Sequence, residues 1–344
     1  MTLAGAAVAL DPTALPQGLA AMFAQFGNLW QNAAPITRFT VEETAFDCRG
    51  TAPAYADLVR TGICQPAATA TRPAQLLLLD APGPLWAAPY FQEREVEAAL
   101  RGTPYLLAHD PDRGFWQAFD RATGRGLQFM RGPTGYPPWE PGSPLRNFLH
   151  WQVLGPRRGL IHAGTLAFGG IGVLLAGPGG SGKSGTVLAG LLHGLSSVGD
   201  DYVLADLEGG LALRPVFRTL KQDPTGAVRL GLSLAPRAAN WQGKLQLTVD
   251  EIAPAALVPQ ITPLALLCPR VAHAPRTTFR PLDAKSAFQA LAPSGVSQIP
   301  GDRAAAFALA AAVVRALPCH AVDLGTDPAE IAGAICDFIR RGGV

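Results

Sequence analysis

The chain is short of charge and almost empty of lysine. Asp, Glu, Lys and Arg make up 16% of 344 residues, and the formal net charge is +2. So small a balance excludes the basic surface that a nucleic-acid partner or an anionic membrane would require. Of 28 basic residues only Lys183, Lys221, Lys244 and Lys285 are lysines. With Ala, Gly and Pro abundant, that bias reads as genomic composition. The five cysteines, Cys48, Cys64, Cys268, Cys319 and Cys336, are odd in number and none sits in a C-x-x-C pair. This excludes a disulfide framework and a thiolate zinc site, and it favours a reducing, cytoplasmic setting. Long apolar runs are missing as well. Residues 160–176 are interrupted by glycines and a histidine, and 303–317 are too few to span a bilayer. The apolar stretch 1–10 has no basic residues before it and is not read as a signal peptide.

What is present is a globular composition, 48% apolar, long enough for one large or two modest domains. Residues 1–131 mix short apolar runs with helical patterns such as 93–100, which predicts a small α+β domain. Residues 132–144 hold five prolines and three glycines, the composition of a linker. From 145 onward the pattern sharpens. A helix is expected over 145–153, strands over 160–168 and 171–176 joined at Gly169-Gly170, and a helix over 183–193 ended by Gly194. Short strand-like runs follow at 195–199 and 202–206. Residues 209–300 are rich in Pro and Arg with weak periodicity. A helix over 302–317, a strand over 319–324 and a last helix capped by Asp327-Pro328 close the chain. Strands alternating with helices around a glycine-rich turn predict an α/β domain over 145–344.

That turn is Gly177-Pro-Gly179-Gly180-Ser181-Gly182-Lys183-Ser184, a Walker A phosphate-binding loop (P-loop). Its glycines let successive backbone N–H groups curl around a β-phosphate, and the following helix aims its N-terminus at the same anion. Lys183 is expected on the β- and γ-phosphates and the Ser184 hydroxyl on Mg²⁺. An apolar strand enters the loop and an apolar helix leaves it, as the motif requires. Gly185 follows where a second hydroxyl is common, at a cost in helix propensity. The ligand expected is ATP with Mg²⁺.

Asp200-Asp201 lie sixteen residues beyond Ser184, past the first helix and a short apolar run. If that run pairs near the loop strand, the carboxylates reach the rim where the γ-phosphate sits. One could take a proton from an attacking hydroxyl and the other hold Mg²⁺. In an extended segment the two side chains point to opposite sides and need not share a role. If 160–168 and 171–176 form a hairpin, His162 also lies near the loop, able to orient an aspartate or shuttle a proton. His193 reads as a helix-end residue only.

His162-Ala-Gly164, the loop 177–184 and Gly199-Asp200-Asp201 together resemble the HPr kinase/phosphorylase family. The likeness is nearest to the HPr-kinase-like serine kinases of peptide-modification clusters, including those acting on lasso-peptide precursors. Phosphoenolpyruvate carboxykinases share a similar loop and acid pair. The resemblance implies a P-loop kinase domain of that type. It implies γ-phosphoryl transfer from ATP to a serine hydroxyl of a peptide, a protein or a precursor peptide, or to a small-molecule alcohol. It implies Asp200 as general base, Asp201 as a metal or phosphate partner with Ser184, and His162 as an assistant. It covers 160–206, extends weakly to a basic segment where Arg218 or Lys221 would reach phosphate, and returns at 323–339. The family segment tied to phosphorolysis is not found, and the first 130 residues differ from that family's regulatory domain; peptide recognition is their candidate role. Two other classes remain open: an ATP-hydrolysing switch acting on a partner protein, and a nucleotide-binding module without catalysis. A switch would carry a carboxylate after a long apolar strand downstream, and Asp250-Glu251 end a run that alternates too much.

Overall fold

The computed structural model describes residues 12–64, 70–81, 92–110, 112–132, 134–232 and 234–343. The amino-terminal stretch 1–10 and Pro133 of the Pro/Gly-rich segment lie outside the described residues. Two compact units result. The described residues up to Arg60, those from 70 to Gln152, and Ile299–Asp302 form the first; Thr61–Cys64, Val153–Gln298 and the residues from Arg303 form the second. The division thus falls between Gln152 and Val153. The 132–144 segment, expected as a linker, is part of the first unit and buries Glu140 and Ser143 there.

The first unit is built on six strands: β1 (Pro35–Val41), β2 (Thr44–Gly50), β3 (Arg72–Asp80), β4 (Tyr105–Asp110), β5 (Phe115–Asp120) and β6 (Arg125–Met130). Their order is β1-β2-β3-β6-β5-β4. The central pairs β2–β3 and β3–β6 are parallel and the outer ones antiparallel. The helices are α1 (Leu15–Gln25), α2 (Leu29–Asn32), α3 (Ala54–Gly62), α4 (Glu93–Leu100) and α5 (Arg146–Val153). Leu76 to Leu79 are all buried, as a strand covered on both faces requires. Leu77 and Leu79 meet α1, α2 and α4 through Leu19, Phe23, Trp30 and Val96. On the other face Gly126 leaves room for Phe148 of α5: a Cβ there would stand 2.5 Å from Leu76 and 2.7 Å from the Phe148 ring.

The second unit starts with β7 (Arg158–His162), β8 (Gly164–Phe168), β9 (Ile171–Leu175), α6 (Lys183–Leu192), β10 (Tyr202–Asp206), β11 (Ala212–Pro215) and β12 (Thr219–Gln222). It continues with α7 (Pro224–Arg229), β13 (Leu245–Thr248), α8 (Val249–Ile252), β14 (Thr262–Ala274), β15 (Thr278–Pro281), α9 (Ala284–Gln298), α10 (Arg303–Ala316), β16 (Cys319–Gly325) and α11 (Pro328–Arg340). The main sheet runs β15-β16-β14-β9-β8, with β9, β14 and β16 parallel. Alternation sorts β9 between two cores. Leu174 and Ala176 face a cluster with Leu266, Leu291 and Val313, whereas Val173 and Leu175 face α6 and α11 through Val187, Leu191 and Ile335. The architecture is therefore mixed α/β with a parallel centre. None of the described helices is long and apolar enough to cross a membrane.

Three expectations change here. The 160–168 run is not one strand. It breaks at Ala163, and β7 leaves to pair with β10 in a separate sheet of order β11-β10-β7. The 195–199 run is not a strand beside the loop strand. It makes only single bridges, Ser196 to Ala167 and Ser197 to Leu257, because β14 occupies the position next to β9. And the weakly patterned 209–300 region supplies β14, a central strand of the sheet.

Candidate functional site

The phosphate loop is set by the end of β9 on one side and by Gly182, ahead of α6, on the other. Ala176 donates to Leu267 O at 2.9 Å, which keeps the end of β9 against β14 as the chain enters the loop. Gly182 then turns the chain into α6 at φ +101°. A side chain there would be strained, and its Cβ would stand 2.6 Å from Leu324. Gly179 and Gly180 border open space. Lys183, the first residue of α6, is buried and folds back to donate to Gly177 O at 2.6 Å and Pro178 O at 3.1 Å. Burial pushes its ammonium below the ordinary lysine range, and the Asp200 and Asp201 carboxylates pull it back. Ser181 Oγ is buried with no hydrogen-bond partner among the described residues. A loop that holds its own lysine on backbone carbonyls and keeps a hydroxyl orphaned is suited to an anion. Gly185 opens onto empty space.

The Asp pair arrives by backbone pairing that the local pattern did not announce. Ala163 donates to Asp201 O and Thr165 to Gly199 O, each at 3.1 Å. Thr165 Oγ1 and Ser197 Oγ meet at 2.8 Å; Val198 N donates to Thr165 Oγ1 at 3.0 Å and Gly199 N to Ser197 Oγ at 2.9 Å. These buried hydroxyls lock residues 197–199 against β8. Gly164 pairs with Leu175 on its other side, so one residue links the loop strand to the acid pair.

The two aspartates have different neighbours. Asp200 is 2% exposed and has the Ser184 hydroxyl as a neighbour. Burial raises its carboxyl above the usual carboxylate range, the Ser184 hydroxyl opposes the shift, and the Asp201 charge adds to it. Asp201 takes φ +85°, a left-handed conformation that aspartate tolerates better than most residues. Its Oδ1 lies 2.9 Å from His162 Nε2 and its Oδ2 2.5 Å from Lys221 Nζ. Burial alone would raise this carboxyl, but Lys221 and then His162 outweigh it and hold it well below the usual range.

Tertiary structure thus gathers His162, Lys183, Ser184, Asp200 and Asp201, and it brings Lys221, expected on phosphate, to Asp201 instead. It places Arg218 elsewhere, 3.0 Å from Asp250 in an exposed ion pair. Ser184 meets Asp200 rather than Asp201, whose two oxygens are both engaged. His162 comes to Asp201 through β7–β10 pairing, where it stands opposite Tyr202, and not through the hairpin with β9. Glu251 serves a capping box with Thr248. Gly164 has a place in the sequence only as the end of the His162-Ala-Gly164 match, and Thr165 and Ser197 carry no motif at all. The signal for Gly164 was its lack of a side chain in a strand, which marks a close approach; nothing in the pattern marked the two hydroxyls.

No group of three or more His, Cys, Asp or Glu is placed to hold a metal by itself among the described residues. Mg²⁺ does not need one, since it is held by one or two protein oxygens together with nucleotide phosphates and waters. The adjoining Ser184 hydroxyl and Asp200 carboxylate fit that donor set.

No protein-family profile matches the chain, and no curated protein matches it in sequence. Among solved structures the chain is similar to the Hpr(Ser) kinase/phosphatase from Coxiella burnetii, at 20% identity over 36% of this chain and 77% of that one, with a TM-score of 0.23. A superposition that loose decides neither fold nor chemistry.

Proposed function

We propose that this chain is an ATP-dependent phosphotransferase that moves the γ-phosphoryl group to a serine hydroxyl of a peptide or protein, or to another alcohol. The observation that carries the reading is the burial of the Asp200 carboxylate between β8 and α6, the helix that begins at the glycine-rich loop with Lys183. A carboxylate whose pKa is raised by burial is a competent proton acceptor near neutral pH. Asp200 would accept the acceptor's hydroxyl proton, while Lys183 would leave the Gly177 and Pro178 carbonyls to neutralise phosphate oxygens. When bound, Mg²⁺ would supply charge neutralisation on the phosphates. Asp201, saturated by Lys221 and His162, would hold those two side chains in place and set the field around Asp200. Most of the rate enhancement in such a site comes from positioning and charge.

The test is mass spectrometry of serine-containing peptides and small alcohols incubated with Mg·ATP and the protein. A gain of one phosphate, lowered about 10²–10⁴-fold in Asp200→Asn with ATP binding retained, supports the reading. Steady ATP loss with no phosphorylated product would point to a hydrolytic switch instead.

A further inference from the structure

The phosphate loop has two flanks, because β9 lies between β8 and β14 in the sheet. The β8 flank carries the acid pair, through Ala163 N to Asp201 O and Thr165 N to Gly199 O. The β14 flank runs on past the end of β9. Leu267 stands opposite Leu175, the last residue of β9, and β14 continues to Ala274 with β16 beside it up to Gly325. The loop therefore lies against the carboxyl end of β14, the edge at which open α/β sheets take their ligands. Two close approaches show the contact. A Cβ on Gly177 would stand 3.9 Å from Pro269 O, and one on Gly182 would stand 3.2 Å from Val271 Cγ2 and 2.6 Å from Leu324 Cδ1.

Val271 and Leu324 are cross-strand partners, yet Leu324 is 4% exposed and Val271 39%. Alternation puts Val271 on the face of β14 that Leu267 shows to α6 and α11, and turns Arg270 to the other face. There Arg270 Nε and Arg280 Nη2 both donate to Asp323, at 2.9 and 3.1 Å. What β14 presents beside Gly182 is therefore the isopropyl group of Val271 and not a guanidinium. This ledge is held at its far end. Glu330 of α11 accepts from Thr277 N and from Thr277 Oγ1, each at 2.7 Å, and Gly325 N donates to Thr277 Oγ1 at 3.1 Å. These bonds fix the connection between β14 and β15, so the apolar surface is preformed and a ligand settling on it has little ordering to impose.

A triphosphate in the 177–184 loop with its γ-phosphate toward the acid pair directs its other end to the opposite flank, where Val271 stands. We propose that Val271 is a nucleoside-contacting residue, packing its exposed methyl groups against the nucleoside of the phosphoryl donor. The inference rests on the phosphate-loop reading above and makes it more specific: the donor is a nucleotide rather than a bare polyphosphate, because only a nucleotide reaches this ledge.

The experiment is titration calorimetry of the full chain with Mg·ATP and Mg·tripolyphosphate, for wild type, Val271→Asn and Val271→Ile. Thermal unfolding of each variant serves as the folding control. The wild type should bind Mg·ATP more tightly than Mg·tripolyphosphate, a comparison that needs no variant. Val271→Asn should weaken Mg·ATP about 5- to 10-fold while changing Mg·tripolyphosphate by less than about 2-fold. Val271→Ile keeps the apolar contact and should hold Mg·ATP within about 2-fold of wild type. Wild-type affinity for Mg·ATP in a folded Val271→Asn overturns this inference and leaves the loop reading intact. So does an equal loss for the two ligands, and so does a wild type that binds tripolyphosphate as tightly as ATP. Failure of the wild type to bind either ligand overturns both.

Discussion

A methyl group on Gly164 would stand 3.0 Å from Asp200 Oδ1 and 2.7 Å from Val187 Cγ2. Gly164 is therefore the spacer that lets a buried carboxylate lie between β8 and α6. Gly164→Ala should cost about 1–3 kcal/mol, since overpacking against a β-branched side chain has no cheap relief. It should also move the carboxylate away from Ser184. Urea unfolding reads the first effect and phosphoryl transfer the second. A variant with wild-type stability and rate would show that Asp200 does not need this gap.

Lys221→Met should destabilise the second unit by about 2–4 kcal/mol at neutral pH, because it takes the ammonium away from the buried Asp201 carboxylate. The sign of the pH dependence follows from the shift. Asp201 is held below its unfolded value of 3.8, so the pair stabilises the fold above that pH. Its contribution fades as acid protonates the carboxylate. The stability difference between wild type and variant should accordingly shrink below about pH 4. A difference that stays constant into acid would assign the loss to packing of the lysine stem.

Asp200 titrates in the opposite sense. Its carboxyl is raised above 3.8 by burial, so the folded state favours the protonated form, and the stability that this confers is lost as pH rises through the folded pKa. Asp200→Asn should then unfold at a higher temperature than wild type at pH 7, by on the order of 1 kcal/mol, while losing transfer. The acid limb of the wild-type rate profile should sit above the ordinary carboxylate value. An Asn variant less stable than wild type would argue that Asp200 is chiefly structural.

In the first unit Glu140 is 1% exposed, accepts from Leu145 N at 2.9 Å, and has its pKa raised from 4.5 to about 7 by burial. The folded unit binds one more proton than the unfolded chain between those values. Its stability should fall as pH rises from about 4.5 to 7, by on the order of 3 kcal/mol, and level off above. Glu140→Gln should flatten that slope in urea titrations at pH 5 and pH 8. An unchanged slope would place the titration on another group.

Much of this molecule could be read from local pattern, and the failures have a common cause. The loop, α6 and the Asp327 cap of α11 follow from short-range chemistry: glycine at positive φ, a helix start, an aspartate accepting from Ala329 N at 3.0 Å. The β14 strand was illegible because Pro263 and Pro269 interrupt its apolar run, and proline argues against a central strand. The fold accommodates Pro263 with a register shift between Pro263 and Ala265 where β14 meets β9. The residues 132–144 carry linker composition, yet they bury a glutamate.

At the site, the sequence by itself singled out residues that the fold then brings together: Lys183 and Ser184 by spacing, Asp200 and Asp201 by adjacency, His162 by position before the loop strand. Only the tertiary structure decided who touches whom. Side chains on a strand alternate and loops bend, so contacts between β7, β8, the 197–201 segment and β12 depend on long-range pairing that no local period encodes. That pairing gave Ser184 to Asp200 and gave Asp201 to His162 and Lys221. It also set two adjacent carboxylates apart, one raised by burial and one lowered by Lys221 and the His162 hydrogen bond, and electrostatics of that kind exists only once the chain has folded.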